Sequence, residues 1–156
     1  NHLNTGRPDP DSRMFNRYAS NYLDESNEPL YPFGYGLSYT DFVYGELQIS
    51  SETLPKNGEL TVSVTVTNKG NYDGYETVQL YLRDIYAEVA RPMKELKGFE
   101  RIFLKSGESR DVKFVITKDD LKFYNSELHY VYEPGEFDVM VGPNSRDVQT
   151  KSFQAK

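Results

Sequence analysis

The sequence contains no cysteine, no tryptophan and only two histidines among its 156 residues. The absence of cysteine excludes disulfide bonds, thiolate catalysis and cysteine-bound zinc. The two histidines, His2 and His129, stand far apart in the sequence. A transition-metal site generally needs roughly three or four converging ligands, which two isolated histidines do not supply. We therefore expect no cofactor and assign no metal-ligating or cofactor-binding residue.

Long apolar runs and long basic clusters are also missing. No stretch approaches the roughly 20 apolar residues of a membrane-spanning helix, so we predict no membrane span. The formal net charge of −6 argues against nucleic acid and anionic membrane as partners. The chain begins at Asn1 without a basic-then-apolar leader, and we interpret it as a fragment of a longer protein.

Residues suited to catalysis do not form a recognisable arrangement. Glycoside hydrolysis typically needs two carboxylates across a sugar ring. The acidic residues here lie in turns and at polar positions of strands, and we expect Asp84, Asp119, Asp120 and Glu133 to be solvated. No Gly-x-Ser-x-Gly turn is present to accompany a histidine base. We therefore assign no catalytic residue.

Aromatic and β-branched residues are plentiful, and they alternate with polar ones. Thirteen tyrosines and nine phenylalanines can bury large areas. Residues 60–67 alternate strictly between apolar and polar, which is typical of a strand with one buried face. Asn68-Lys69-Gly70-Asn71 then supplies turn residues. Further strands are predicted at 42–50, 78–82, 96–104, 112–116, 123–132, 137–141 and 148–153, with one weak helical turn at 118–121.

Seven or eight strands without a long amphipathic helix predict an all-β fold. We expect an immunoglobulin-like or fibronectin type III-like β-sandwich, in which two facing sheets let each strand bury one side. Residues 1–31 differ, because no period holds there and Pro8, Pro10 and Pro29 interrupt the chain. We predict an irregular N-terminal segment over 1–31 that packs on a neighbour, followed by the sandwich over 32–156.

An aromatic run lies where these two zones meet. It contains Tyr31, Phe33, Tyr35 and Tyr39, separated by proline and glycine. Its rings either pin the N-terminal segment to the sandwich or to a neighbouring domain, or they stack on sugar rings. The absence of tryptophan, the usual sugar-stacking residue, favours packing. The Gly34-Tyr35-Gly36 turn lacks the third glycine and the strand-to-helix context of a dinucleotide-binding loop.

This run and three later stretches resemble one family. The run resembles the segment that leads into the last domain of glycoside hydrolase family 3 enzymes. Residues 78–81, 91–100 and 133–137 agree with that family in order and spacing. The segment at 1–31 is similar to the tail of the preceding α/β domain in its periplasmic β-glucosidases. The run reads Leu30-Tyr31-Pro32-Phe33-Gly34-Tyr35-Gly36-Leu37-Ser38-Tyr39-Thr40.

The resemblance implies a longer parent, a retaining β-glucosidase that hydrolyses O-glycosyl bonds. Its catalytic residues belong to an upstream barrel and α/β domain, so none can be assigned here. We expect a non-catalytic accessory domain that stabilises those domains, with Tyr31, Phe33, Tyr35 and Tyr39 at the contact. The resemblance also implies a periplasmic or secreted bacterial location and allows a homodimer contact. Two alternatives stay open: a carbohydrate-binding module that anchors the enzyme to oligo- or polysaccharide, and a free-standing adhesion-type sandwich.

Overall fold

A computed structural model describes residues 29–55, 58–89 and 91–156. The described residues form strands and one short 3₁₀ turn, Lys118–Leu121. The strands are β1 (Phe42–Tyr44), β2 (Gln48–Ile49), β3 (Thr53–Leu54), β4 (Glu59–Asn68), β5 (Gly74–Asp84), β6 (Glu95–Leu104), β7 (Ser109–Thr117), β8 (Phe123–Tyr124), β9 (Tyr130–Val131), β10 (Gly135–Gly142) and β11 (Gln149–Ala155).

The first sheet is built around β4. One edge of β4 pairs antiparallel with β7, from Glu59 opposite Thr117 to Thr67 opposite Ser109. The short strands β1 and β2 share the other edge. A strand this long, paired on both sides, has its backbone groups satisfied along most of its length. The regular alternation of β4 has a separate cause: successive side chains point to opposite faces, and those from Leu60 to Val66 at every second position are buried in the core.

The second sheet has the order β3-β11-β10-β5-β6. Its pairings are antiparallel except for β3, which runs parallel to β11. The chain therefore changes sheets between β2 and β3. Strand β5 is central, but only its residues 79–84 pair with β10, so its first residues extend past the end of β10. Strands β8 and β9 form a separate two-stranded ribbon.

The core lies between the two sheets and is formed by alternate residues of their strands. Each fully buried valine or leucine contributes about 1.5–3 kcal/mol relative to an exposed one. The central strands β4, β5 and β10 supply much of this core, through Leu60, Val62, Val64, Val66, Val78, Leu80, Leu82, Val139 and Val141. The predicted all-β sandwich and the alternation at 60–67 are confirmed.

The prediction of individual strands was accurate in the long strands and wrong in two shorter regions. The predicted strand at 42–50 is divided into β1 and β2, because the Gly45 amide bonds the Thr65 carbonyl at 2.8 Å outside the regular ladder. The predicted strand at 123–132 pairs only at its ends. Between them Asn125 Oδ1 accepts the amides of Glu127 (3.1 Å) and His129 (2.9 Å), which closes a turn. The sequence analysis missed β3, and residues 1–28 of the predicted N-terminal segment lie outside the described residues.

Candidate interaction surface

The segment at 30–40, here called the aromatic connector, leads into β1. Within it the Tyr35 amide donates to the Pro32 carbonyl at 3.0 Å, which forms a tight turn. Gly34 in this turn has a φ of 78°. That left-handed conformation favours glycine, since a Cβ would strain it. The Pro32-Phe33-Gly34-Tyr35 sequence thus determines the conformation of the first part of the connector.

Gln79 anchors this turn to the second sheet. It lies on the outer face of β5 and is nevertheless buried. Its Nε2 donates to the carbonyls of Gly34 (3.3 Å) and Pro143 (2.5 Å), while its Oε1 accepts the Tyr81 hydroxyl. The Phe33 carbonyl next to Gly34 accepts the Ser145 amide at 2.9 Å. A Cβ on Gly34 would lie 2.1 Å from Gln79 Oε1, so the close approach also requires glycine.

Asn68 anchors the other end of the connector. Its side chain is fully buried, and its Oδ1 accepts the Thr40 hydroxyl at 2.6 Å and the Gly70 amide at 3.1 Å. Its Nδ2 donates to the carbonyls of Tyr72 (2.7 Å) and Leu104 (3.1 Å). A buried polar group is stable only when its partners are present, and here both ends of the amide are satisfied. One asparagine of β4 therefore joins the connector to the turn at 70–72 and to the end of β6.

The connector follows β5 between these two anchors. Gly34 contacts Gln79, and a Cβ on Gly74 at the start of β5 would lie 2.8 Å from Thr40 Cγ2. This is the part of β5 that extends beyond β10. The connector is thus held at two fixed points on the sandwich.

The large side chains of the connector point away from the sandwich. Tyr39 is 98% exposed, Phe33 65% and Tyr31 68%, whereas Pro32 and Thr40 are buried. Tyr35 is less exposed, and its ring centroid lies 5.4 Å from that of Tyr31. The structure therefore brings the predicted contact residues into one segment. The rings of Tyr31, Phe33 and Tyr39 are not packed against the sandwich.

A second exposed aromatic group, which the sequence analysis missed, lies on the outer face of the second sheet. Tyr75 on β5 stands opposite Phe103 on β6, with ring centroids 5.0 Å apart. The Arg101 guanidinium lies 4.1 Å from the centroid of the Tyr75 ring, and Phe99 stands opposite Gln79. We call Tyr75, Phe99, Arg101 and Phe103 the β6 patch. The residues that alternate with Phe103 along β6, Ile102 and Leu104, are also large and apolar, so the sequence did not reveal which of the two sets faces solvent.

One expectation about the acidic residues was wrong. Asp84 is not solvated: its side chain is 2% exposed, and its Oδ2 accepts Arg91 Nη1 at 2.9 Å. The same guanidinium contacts Glu95 at 3.0 Å and lies 4.7 Å from the centroid of the Phe123 ring. Asp84 ends β5, and the chain that returns to β6 brings Arg91 over it. The sequence pattern indicates that β5 ends near Asp84, but it does not show that the following segment places Arg91 against this carboxylate.

The other acidic residues considered for chemistry have structural contacts. Asp120 Oδ2 accepts the Thr117 amide and hydroxyl, both at 2.8 Å, and caps the 3₁₀ turn. Asp119 is exposed, and its hydrogen bond with Lys122 lowers its pKa. Glu133 Oε2 accepts the Glu88 amide at 3.3 Å.

His129, the histidine within the described residues, contacts Glu127 at 3.4 Å and is largely exposed. Across 29–55, 58–89 and 91–156 no cluster of three or more His, Cys, Asp or Glu side chains could hold a metal ion. The same ranges contain no helix of the length and apolarity needed to cross a bilayer.

Glu76 on β5 is a partly buried carboxylate. Burial raises its pKa, although a hydrogen bond from the Tyr44 hydroxyl at 2.7 Å opposes the shift. The same burial, with the Glu76 charge, raises the pKa of Tyr44. The pair lies where β1 approaches the start of β5, next to the core. This contact joins the two sheets and explains the perturbed pKa without a catalytic role.

Comparison with known proteins gave consistent matches. Residues 76–145 match the family described as fibronectin type III-like domain. The chain is 49% identical over 153 residues to the periplasmic β-glucosidase of Salmonella typhimurium, a match that covers 98% of this chain and 20% of that protein. It is 48% identical over 139 residues to a putative β-xylosidase of Formosa agariphila, covering 89% of this chain and 18% of that one.

Solved structures agree with these sequence matches. The crystal structure of a β-glucosidase from Listeria innocua superimposes with a TM-score of 0.85 at 44% identity, over 99% of this chain and 21% of that chain. A GH3 β-glucosidase from Bifidobacterium adolescentis gives a TM-score of 0.73 at 37% identity, over 80% of this chain and 18% of that one. The chain thus spans about one fifth of the length of the proteins it matches.

Proposed function

Because this chain belongs to the C-terminal fibronectin type III-like domains of glycoside hydrolase family 3, we propose that it is the accessory domain of a β-glucosidase. In this role it packs on the catalytic domains of the same polypeptide and stabilises them. The chain itself supplies no catalytic group. Hydrolysis of the glycosidic bond belongs to the remaining four fifths of the protein.

The aromatic connector is the observation that carries this proposal. Gln79 and Asn68 hold it in place, yet Tyr31, Phe33 and Tyr39 are exposed. Contiguous exposed apolar surface on a soluble protein marks an interaction site. A segment that is already fixed loses little conformational freedom when it binds, which favours affinity. We assign Tyr31, Phe33, Tyr35 and Tyr39 to the contact with the preceding domain.

The same contacts support a proposal for the domain boundary. Pro32 is the first buried residue of the described connector, and the Phe33 carbonyl already bonds the sandwich. We therefore propose that the sandwich spans 32–156 and that 1–31 is the tail of the preceding α/β domain. The periplasmic β-glucosidase of Salmonella typhimurium, 49% identical to the chain, supports a periplasmic or secreted location.

The test compares connector variants in two contexts. The double change of Phe33→Ala and Tyr39→Ala is made in the 156-residue chain and in the full polypeptide that contains it. Tyr86→Ala, which removes another tyrosine that is 78% exposed, is the matched control. We expect the double change to lower the melting temperature of the full polypeptide by several degrees and to leave that of the short chain unchanged. Equal melting temperatures of the variant and parental full polypeptides would contradict the proposal.

Carbohydrate binding is the competing function of the same rings. Titration of the 156-residue chain with cellulose, laminarin and xylan fragments, followed by tyrosine fluorescence, separates the two. On our proposal no saturable change occurs at millimolar sugar. Tighter binding that the Phe33→Ala and Tyr39→Ala changes abolish would replace the accessory role with a sugar-binding one.

A further inference from the structure

The β6 patch has the composition of an interface centre. Three aromatic side chains, Tyr75, Phe99 and Phe103, surround Arg101, and all four are exposed. Tyrosine and arginine are over-represented among the residues that dominate binding energy at protein interfaces. The strand register places Tyr75 opposite Phe103 and Thr77 opposite Arg101, so these side chains lie on one face of the sheet.

Arg101 is held in place, but no carboxylate of the described residues forms an ion pair with it. Its guanidinium lies 4.1 Å from the centroid of the Tyr75 ring. Among the ion pairs and hydrogen bonds of residues 29–55, 58–89 and 91–156, Arg101 does not occur. A guanidinium stacked on a ring keeps N–H donors in its plane, where they match the two oxygens of a carboxylate. The carboxylate of an acidic side chain therefore matches the donors that Arg101 presents.

The β6 patch is continuous with the aromatic connector. Gln79 bonds the Gly34 carbonyl of the connector, and on the neighbouring strand it stands opposite Phe99. The connector turn at Gly34 thus lies one strand away from Phe99. This continuity favours one occupant for both surfaces.

We infer that the β6 patch is a second docking surface for the preceding domain of the same polypeptide, and that an aspartate or glutamate of that domain pairs with Arg101. The inference rests on the proposed function, because it takes the same neighbour as the partner. It adds a specific polar contact at the centre of an apolar surface. Such a contact fixes the orientation of the two domains, since a carboxylate must meet the guanidinium edge while Phe99 and Phe103 are covered.

Reversal of the charge at Arg101 tests the inference. Arg101→Glu is made in the full polypeptide and in the 156-residue chain, with Lys113→Glu as the control. Lys113 is exposed on β7 of the other sheet, so the control makes the same change of charge away from the patch. We expect Arg101→Glu to lower the melting temperature of the full polypeptide by several degrees more than Lys113→Glu. This difference should be larger than in the short chain, where Arg101→Glu loses only its contact with the Tyr75 ring. Equal effects in the full polypeptide would overturn the inference.

Cross-linking identifies the occupant directly. Phe103 is replaced by the photocrosslinker p-benzoylphenylalanine in the full polypeptide, and the linked peptides are sequenced by mass spectrometry. We expect a link within one chain to an upstream peptide that contains aspartate or glutamate. Reversal of that acidic residue to lysine should restore the melting temperature of the Arg101→Glu variant. A link between two copies of the chain, or no link, would overturn the inference.

The outcomes separate this inference from the proposed function. If the connector variants destabilise the full polypeptide and Arg101→Glu does not, the accessory role stands and the β6 patch is not its contact. If neither change has an effect, both fail.

Discussion

Replacement of the buried Asn68 by alanine should be one of the most destabilising single changes at a polar residue of this chain. The change removes four hydrogen bonds of one buried amide, to the Thr40 hydroxyl, the Gly70 amide, and the carbonyls of Tyr72 and Leu104. A typical hydrogen bond contributes about 0.5–1.5 kcal/mol, but a buried partner left unsatisfied costs about 1–3 kcal/mol.

The magnitude depends on which partners can reach water. Gly70 and Tyr72 belong to the exposed turn between β4 and β5, so water can replace Asn68 for them. Thr40 and Leu104 are buried and stay unsatisfied. Two such groups correspond to a loss of about 2–6 kcal/mol. Since small domains are stable by about 5–15 kcal/mol, the variant should fold but unfold at much lower denaturant concentration.

Urea unfolding of the 156-residue chain, followed by tyrosine fluorescence and far-ultraviolet circular dichroism, measures this loss. Asn71→Ala is the matched control, because Asn71 is exposed in the same turn, and it should change stability by about 0.5 kcal/mol or less. The double-mutant cycle with Thr40→Val should show coupling of about 0.5–3 kcal/mol, since the two side chains are bonded at 2.6 Å. A loss below about 1 kcal/mol for Asn68→Ala, or additive effects with Thr40→Val, would refute the reasoning.

Two further predictions concern the other anchor and the buried carboxylate. Gly34→Ala should destabilise the 156-residue chain by about 1–3 kcal/mol, as measured by urea unfolding, because a Cβ is strained at a φ of 78° and overlaps Gln79. The control is Gly36→Ala, whose Cβ would meet open space and which should leave the stability unchanged. Glu76→Gln should raise the melting temperature at neutral pH. The pKa of Glu76 is raised in the folded chain, so the folded chain favours the protonated carboxyl. The stability that this preference gives is complete below the pKa of the unfolded chain and is lost as pH rises through the pKa of the folded chain. The advantage of glutamine over the parental chain should therefore shrink as pH falls toward about 4, and a pH-independent advantage would contradict this sign.

The long strands could be predicted because their side chains report their surroundings. In β4, every second residue from Leu60 to Val66 is apolar, and pairing on both edges leaves no alternative register. The capping Asp120 and the 3₁₀ turn follow from equally local chemistry. Between β8 and β9, by contrast, the side chain of Asn125 turns the backbone. The apolar and aromatic residues around it predict one continuous strand, and that prediction fails because it takes no account of this turn.

The candidate surface could be predicted only in part, because exposure is a tertiary property. The aromatic connector stood out as a cluster in the sequence, but its anchors come from residues more than 25 positions away, Gln79 at a separation of 45 and Asn68 at 28. The β6 patch was hidden since both phases of β6 contain large apolar side chains. Asp84 looked solvated for the same kind of reason, as nothing near it in sequence shows that Arg91 returns over it.

The two anchors give the connector a meaning that its composition alone does not. A flexible linker would let neighbouring domains move independently, and relative motion is the default when an interface is small. Here Gln79 bonds the connector backbone at Gly34, and Asn68 bonds the Thr40 side chain at the other end. Rings such as that of Tyr39, which is 98% exposed, contribute almost no burial to the sandwich itself. The position of the connector is therefore fixed by polar contacts with the sandwich and not by burial of its exposed rings. On the proposed function, these two amide side chains hold the connector in one position for its contact with the preceding domain.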